Sequence, residues 1–154
     1  MKIYLKSLIF CIALPLGVGA LAALITSGSM KIFETLGKPP LSPPGWLFPI
    51  AWSILYILMG IASYLVLHAD KGDTAGAFRL YGAQLAVNFL WPILFFSLKL
   101  YSVAFLWLVL LWALVFFTWR RFRAISSAAG WLLVPYLAWV TFAGYLNFGI
   151  FLLN

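Results

Sequence analysis

The stretch that decides the fold is LYSVAFLWLVLLWALVFFTW, residues 100–119, which contains no Asp, Glu, Lys, Arg or His. A helix rises about 1.5 Å per residue, so about 20 such residues cross the roughly 30 Å hydrocarbon core of a bilayer. The length and composition of this segment therefore predict a transmembrane helix.

Four more segments without charged residues or histidine flank this one, at residues 7–30, 39–67, 80–98 and 124–154. Hydrophobic residues make up 66% of the 154-residue chain and charged residues 8%, against about 25% charged residues in soluble domains. This composition excludes a water-soluble globular domain and a disordered chain, and the single Cys11 excludes an intrachain disulfide scaffold. The polar–apolar alternation of a membrane β-barrel does not occur either.

The fold class is therefore an all-α membrane protein, a five-transmembrane-helix bundle, and the chain from residue 1 to 154 is predicted to form a single domain. The loop before the second helix, residues 27–44, is predicted to be the one long connection. The predicted helices are 7–26, 45–67, 79–98, 101–120 and 129–152.

The first helix has a competing interpretation as a signal peptide. Lys2 and Lys6 precede the apolar run, and the tripeptide at 20–22 resembles a signal-peptidase site. The run is longer than a signal core and continues to Ile25. Retention as a membrane helix is therefore the favoured interpretation.

Basic residues at the ends of the spans predict the orientation. One side of the membrane would carry Lys2, Lys6, Lys71, Arg79, Arg120, Arg121 and Arg123, and the other only Lys31, Lys38 and Lys99. The positive-inside rule then places the N-terminus in the cytoplasm and the first loop and C-terminus outside, in a multi-pass protein of the cell membrane. Because the charge excess is accounted for by topology, the predicted partner is the lipid bilayer and not nucleic acid.

The predicted spans lack the residues of several functional classes. Pumps and proton-coupled transporters place ionisable side chains at membrane depth, and none lies there apart from neutral tyrosines. No cluster of ligands predicts a metal site, and His68, the only histidine, lies at a helix end, where no catalytic triad can form. We expect His68 to be an interfacial residue and Cys11 a packing residue, and the chain as a whole points away from enzymatic chemistry.

The eight tryptophans fall into three groups by depth. Three lie near span ends, where indoles anchor to head groups: Trp46, Trp119 and Trp131. Two lie among leucines of the fourth helix and are expected to face lipid or pack: Trp107 and Trp112. The remaining three, Trp52, Trp91 and Trp139, lie inside their helices beside polar or small residues.

These three tryptophans share helix faces with residues at three- and four-residue spacing. Amides in lipid are costly, so Gln84, Asn88 and Asn147 should point inward. The faces therefore predict either ordinary helix packing or an aromatic cavity in the half of the bundle next to the first loop. The candidate ligand-binding residues are Trp52, Tyr56, Asn88, Trp91, Phe95, Trp139, Phe142, Ala143 and Asn147.

The first loop favours the cavity over simple packing. Residues 39–44 contain four of the eight prolines, which make the segment stiff. It is expected to form a lid over the cavity, with a plain connector as the alternative, and Lys31 and Lys38 at its rim would meet an anionic group on a guest. The predicted lid residues are Lys38, Pro39, Pro43, Pro44, Gly45 and Trp46.

Three motifs resemble one family, the tryptophan-rich sensory protein / translocator protein family (TspO/MBR, or peripheral-type benzodiazepine receptor). Lys38-Pro39, Pro43-Pro44-Gly45-Trp46, Ala51-Trp52 and residues 55–60 are similar to its first loop and second helix. Asn88-Phe89-Leu90-Trp91-Pro92 is similar to its third helix. Residues 135–143 and Tyr145-Leu146-Asn147 are similar to its fifth helix, so the resemblance extends over about residues 30–154.

The resemblance implies a five-helix bundle, often a homodimer, that binds porphyrins such as protoporphyrin IX, benzodiazepine-site ligands and, in some members, cholesterol. The expected cofactor-like ligand is a porphyrin, held without a covalent bond. The resemblance ties Trp52 and Trp139 to ligand binding and to light-dependent porphyrin breakdown, and it places Asn88, Trp91 and Ala143 in the same cavity. Gly82 and Ala86, four residues apart, are suited to seat a neighbouring helix.

Two departures from the family pattern bear on function. Ile32-Phe33 stands where members often have Trp-Tyr, which weakens the case for photochemistry more than that for binding. No basic residue follows Tyr136 or Tyr145, so the cholesterol motif is absent. The predicted function is a membrane receptor or sensor for porphyrins and other lipophilic ligands. The alternatives are light-dependent porphyrin degradation through Trp52 and Trp139, or porphyrin or lipid transport, for which no broken-helix pair or repeat is seen.

Overall fold

The computed structural model describes residues 3–154 and is helical almost throughout. Five of its helical segments are long and apolar enough to cross a membrane, which confirms the predicted five-helix bundle. Lys2, which contributes to the predicted orientation, lies outside the described residues. The helices are α1 (Leu5–Thr26), α2 (Met30–Thr35), α3 (Leu47–Leu67), α4 (Thr74–Pro92), α5 (Tyr101–Ile125) and α6 (Ser127–Leu153).

The first span is longer than the sequence indicated. A 3-10 turn, Ser27–Ser29, joins α1 to α2, so that helical structure continues to Thr35 inside the segment predicted as loop 27–44. The Ser27 hydroxyl donates to the carbonyl of Leu24 at 3.0 Å, a local bond of the kind that bends a helix where α1 gives way to the 3-10 turn. Burial of Phe33 in the bundle favours the extra turn of helix. The loop proper is therefore residues 36–46.

The starts of α4 and α6 differ from the predicted helix starts by a few residues, because N-cap side chains fix them. Asp73 accepts a hydrogen bond from the Gly76 amide at 2.9 Å and starts α4 at Thr74, five residues before the predicted start at 79. Ser126 caps α6 in the same way through the amide of Ala129. Past Pro92, α4 widens into a π-helical turn, Ile93–Ser97.

The helices form a closed ring. α1 packs on α3 and α4, α3 packs on α6, α6 on α5, and α5 on α4. Glycines permit the closest approach between α1 and α3, because a Cβ at Gly60 would lie 2.6 Å from the carbonyl oxygen of Cys11 and 2.6 Å from Cα of Ile12. At Gly19 a Cβ would meet the ring of Tyr56.

Two groups of buried residues fill the ring at different depths. The larger runs through α3, α4, α5 and α6 and includes Met59, Leu111 and Tyr136. The smaller lies near the first loop and contains Phe33, Phe95, Ala104 and Ile150. Large apolar side chains such as Leu24 and Leu106 point outward and are exposed, as expected for a surface in lipid. A cavity lies between the two groups.

Candidate ligand-binding cavity

The cavity has a volume of about 390 Å³, within the range of small-molecule sites. Its wall comes from α1, α2, α3, α4 with the π-helical turn, and α6, and none of the residues that line it is Asp, Glu, Lys, Arg or His. It is therefore an aromatic and aliphatic space with a few polar groups. The predicted site residues in its wall are Trp52, Tyr56, Asn88, Trp91, Phe95, Trp139, Ala143 and Asn147.

Trp52 and Trp139 form one corner of the cavity. Their ring centroids lie 6.4 Å apart and their planes are nearly perpendicular, at 88°. Trp52 also stacks on Tyr56 at 5.6 Å, and Phe48 meets Trp139 edge to face at 6.0 Å. Each ring is held by its neighbours, so the indole faces present a preformed surface to a flat guest.

Trp91 is held on the opposite wall by a hydrogen bond. Its indole N–H donates to Oδ1 of Asn147 at 3.1 Å, and the Asn147 amide donates to the backbone carbonyl of Tyr101 at 2.9 Å. Trp91 also stacks on Phe95, with 5.2 Å between ring centroids. The Asn147 amide thus positions Trp91, and its nitrogen and its oxygen each keep one further hydrogen-bonding position.

The indole N–H of Trp139 has no such partner. Within residues 3–154 it is buried and makes no hydrogen bond, although Trp139 lines the cavity. A buried donor without an acceptor costs about 1–3 kcal/mol. The nitrogen is inaccessible to a water molecule in the cavity, so the unpaired N–H lies within the packed wall and does not face the open space.

A chain of buried polar side chains forms another part of the wall. The Tyr56 hydroxyl donates to Oδ1 of Asn88 at 2.7 Å, and Nδ2 of Asn88 donates to the Tyr136 hydroxyl at 2.7 Å. Tyr136 in turn donates to Oε1 of Gln84 at 2.6 Å. The inward amides Gln84 and Asn88 therefore bond to phenols from α3 and α6, and Tyr56 and Asn88 line the cavity.

Phenylalanines close the cavity toward the first loop. Phe33 of α2 meets Phe48 at 5.6 Å and Phe96 at 5.5 Å, both edge to face. The π-helical turn brings both Phe95 and Phe96 to the cavity wall, although they are adjacent in sequence. The ammonium group of Lys38 lies 4.9 Å from the centre of the Phe33 ring. The roof is thus aromatic and is built by α2, α3 and the π-helical turn.

The proline-rich loop does not line the cavity. It is fastened to the end of α6, where Gly37 and the Asn154 side chain exchange hydrogen bonds of 3.2 and 2.8 Å and the Tyr145 hydroxyl donates to the carbonyl of Pro40 at 2.6 Å. None of the predicted lid residues, Lys38, Pro39, Pro43, Pro44, Gly45 and Trp46, belongs to the cavity wall. The extra helix α2 takes the position over the cavity, and the loop holds α2 through its attachment to α6.

The similarity of this chain to known proteins extends over the part of the sequence that builds the cavity. The sequence profile of the TspO/MBR family matches residues 11–153, which include every residue of the cavity wall. The chain belongs to the TspO/MBR family. It is 40% identical to the tryptophan-rich protein TspO of Chlorobaculum tepidum, with 96% of each chain covered. It is 38% identical to the tryptophan-rich sensory protein of Cereibacter sphaeroides (89% and 88% covered) and 40% identical to the translocator protein of Ovis aries (80% and 75% covered).

One predicted site residue of this TspO/MBR chain lies apart from the cavity. Phe142 packs on Trp139 with 5.7 Å between ring centroids and also contacts Tyr145. Phe142 lies three residues after Trp139, which places it about 60° from Trp139 around α6, on the side away from Ala143 and Asn147. It therefore does not line the cavity. Ala143, one residue further on, completes the turn and lines the space.

Sequence reasoning missed the contribution of the first span. α1 and α2 supply Gly19, Ala22, Thr26, Met30 and Phe33 to the wall. Gly19, Ala20, Ala22 and Ala23 were the available signal, because small side chains on one helix leave room beside a neighbour. Phe33, the position at which the family resemblance led us to expect tyrosine, is one of these wall residues.

Two further tryptophans and His68 have hydrogen-bond partners away from the cavity wall. The indole N–H groups of Trp107 and Trp112 donate to the carbonyl of Val87 and the hydroxyl of Thr141, both at 2.8 Å. His68 lies outside the cavity wall, bonded to the Ser7 hydroxyl at 2.8 Å and stacked on the Tyr4 ring. No group of three or more potential metal ligands occurs in the described residues.

Proposed function

We propose that this TspO/MBR membrane protein is a receptor or sensor that binds a flat lipophilic ligand, of the porphyrin class that includes protoporphyrin IX, inside the helix ring. The observation that carries the proposal is the cavity itself, a space of about 390 Å³ whose wall contains Trp52, Trp91 and Trp139. Benzodiazepine-site ligands share the flat, apolar shape and would occupy the same space.

The chemistry of the wall supports a guest with a large ring system and a few acceptors. Indoles from α3, α4 and α6 offer ring surface, and Asn88 and Asn147 contribute amide groups to the same wall. A porphyrin has imine nitrogens and carboxylates that accept hydrogen bonds. The ammonium group of Lys38 lies over the Phe33 ring at the edge of the roof. There it would meet a propionate of the porphyrin.

The test is a titration of protoporphyrin IX into the detergent-solubilised protein, followed by quenching of tryptophan fluorescence. The double variant Trp52→Phe/Trp139→Phe is expected to bind about tenfold more weakly, since each lost indole contact is worth about 0.5–1.5 kcal/mol. Trp119→Phe/Trp131→Phe is the matched control, because it removes two indoles that do not line the cavity. Equal dissociation constants for the two double variants would exclude the cavity as the porphyrin site.

Light-dependent porphyrin conversion is a second candidate, favoured by the contact between Trp52 and Trp139 in the wall. Two touching indoles beside a photosensitiser are the oxidisable groups that such a reaction needs. Under light and oxygen we expect bound protoporphyrin IX to be consumed faster with the wild type than with Trp52→Phe/Trp139→Phe, and faster still with Phe33→Tyr, which adds a phenol at the wall. Absorption spectra and product chromatography measure this, with free porphyrin as the control. Products and rates identical to those of free porphyrin would exclude it.

We infer the orientation and assembly from surface residues. The basic residues Lys6, Lys71, Arg79 and Arg120 support a cytoplasmic N-terminus, with the first loop and the end of α6 outside. Gly82 and Ala86 of α4 are exposed on its outer face, which supports a homodimer contact there.

A further inference from the structure

The buried chain Tyr56–Asn88–Tyr136–Gln84 continues beyond Gln84 to a group that sets its direction. Nε2 of Gln84 lies 3.5 Å from the sulphur of Met59, and Met59 is fully buried. A thioether has no proton and acts only as a weak acceptor. The amide nitrogen of Gln84 must therefore face Met59, and its oxygen must face Tyr136.

This fixed end determines every hydrogen bond that follows. Because the Gln84 oxygen is an acceptor, the single proton of Tyr136 must point to it. Tyr136 then accepts from Asn88, so the amide nitrogen of Asn88 faces Tyr136 and its oxygen faces Tyr56. The proton of Tyr56 is consequently committed to Asn88, and only the lone pairs of its oxygen remain. The hydrogen bond between Tyr56 and Asn88 lies in the cavity wall, because both residues line the cavity.

We propose that Gln84 and Tyr136 are positioning residues that hold the Tyr56 hydroxyl as a hydrogen-bond acceptor toward the cavity, so that this wall selects flat guests presenting an N–H or O–H donor. Neither Gln84 nor Tyr136 lines the cavity, and each is 1% exposed. The inference rests on the proposed binding function and adds the polarity of the ligand.

Removal of the Gln84 acceptor is expected to reverse the chain. In Gln84→Met, the Tyr136 proton would have at most a weak thioether acceptor at its old position, and a poorly paired buried hydroxyl is costly. Rotation of the Asn88 amide lets Tyr136 donate to Asn88 and Asn88 donate to Tyr56. The O–H of Tyr56 can then point into the cavity, and the wall offers a hydrogen-bond donor to a guest. Tyr136→Phe cuts the chain at the next link and frees the Asn88 amide to rotate in the same way.

Carbazole and dibenzofuran are probes of nearly the same shape that test this directly. Carbazole presents a ring N–H, whereas dibenzofuran presents a ring oxygen without a proton. For the wild type in detergent we expect the carbazole-to-dibenzofuran affinity ratio to exceed that of Gln84→Met and of Tyr136→Phe by about tenfold, the difference that one hydrogen bond makes. The contribution of Trp139 is the same in all three proteins and cancels from the comparison. Thr118→Val, which removes a buried hydroxyl bonded only to its own helix, is the matched control and should keep the wild-type ratio.

Infrared difference spectroscopy measures the same polarity without a guest. Subtraction of the Tyr56→Phe spectrum isolates the phenolic C–O band of Tyr56, which lies higher for a hydroxyl that only donates than for one that only accepts. We expect the donor position in the wild type and a shift to lower frequency in Gln84→Met. An unchanged band together with an unchanged affinity ratio would overturn the proposal. Failure of both probes to bind the wild type would instead count against the proposed function, and the infrared band would still decide the direction of the chain.

Discussion

Gly60→Ala is expected to destabilise the protein by at least about 3 kcal/mol, the upper end of what overpacking usually costs. The new Cβ would lie 2.6 Å from the Cys11 carbonyl oxygen and 2.6 Å from Cα of Ile12. Both atoms belong to the backbone of α1, so no side-chain rotation relieves the contact, and α1 and α3 must separate. Thermal unfolding in detergent, followed by circular dichroism, measures the loss.

Gly144→Ala is the matched control for this prediction. Gly144 lies inside α6, and a Cβ there would have no neighbour within 4 Å. Removal of a helix-interior glycine without a clash should stabilise the helix by roughly 0.5–1 kcal/mol. The two substitutions should therefore change the unfolding temperature in opposite directions. Similar shifts for both would mean that the α1–α3 contact at Gly60 is looser than the structure shows.

Ala143→Phe is expected to weaken protoporphyrin IX binding at least about a hundredfold, or two steps of 1.4 kcal/mol. Ala143 is 6% exposed and lines the cavity one turn after Trp139. Because the surrounding residues are packed, the free space available to a larger side chain is the cavity, and a phenyl ring there would take the place of the guest. Fluorescence quenching titration measures the change.

The unfolding temperature separates this effect from misfolding. A side chain that fills a cavity leaves stability unchanged or raises it, so Ala143→Phe should unfold at or above the wild-type temperature while losing its ligand. Ala138→Phe is the control, since Ala138 lies on the exposed face of the same helix and outside the cavity wall. Wild-type affinity in Ala143→Phe would show that the ligand binds elsewhere.

The spacing of the tryptophans predicted eight of the 23 residues of the cavity wall, all of them from the second, third and fifth spans. Trp52, Trp91 and Trp139 lie on helix faces that also carry amides or small residues, and an amide is driven inward by the cost of exposing it to lipid. The same reasoning placed Asn88 and Asn147 inside, where the oxygen and the nitrogen of each amide are hydrogen-bonded. It did not identify which indole keeps a free N–H, because that depends on partners from other helices.

The proline-rich loop shows where pattern reasoning reached its limit. Its stiffness was readable, but its place was not, because a stiff segment can lie over a cavity or beside it. Long-range hydrogen bonds decide between these positions, among them the pair between Gly37 and Asn154, which are 117 residues apart. Pattern reasoning placed the end of the first helix correctly at residue 26 but missed the short helix α2, since burial of Phe33 against Phe95 is a tertiary contact.

By itself the sequence determined the number of membrane spans, their approximate ends and the faces that turn away from lipid. A bilayer penalises every charged or unpaired polar group along a span. The tertiary structure alone decided how those faces combine. Atoms from at least two helices form the roof of phenylalanines and fix the direction of the Tyr56–Asn88–Tyr136–Gln84 chain. The N–H of Trp139 is unpaired because no neighbouring helix, in the part of the chain that the structure describes, places an acceptor beside it. Spacing along one helix carries no information on contacts between helices, so these features depend on how the ring closes.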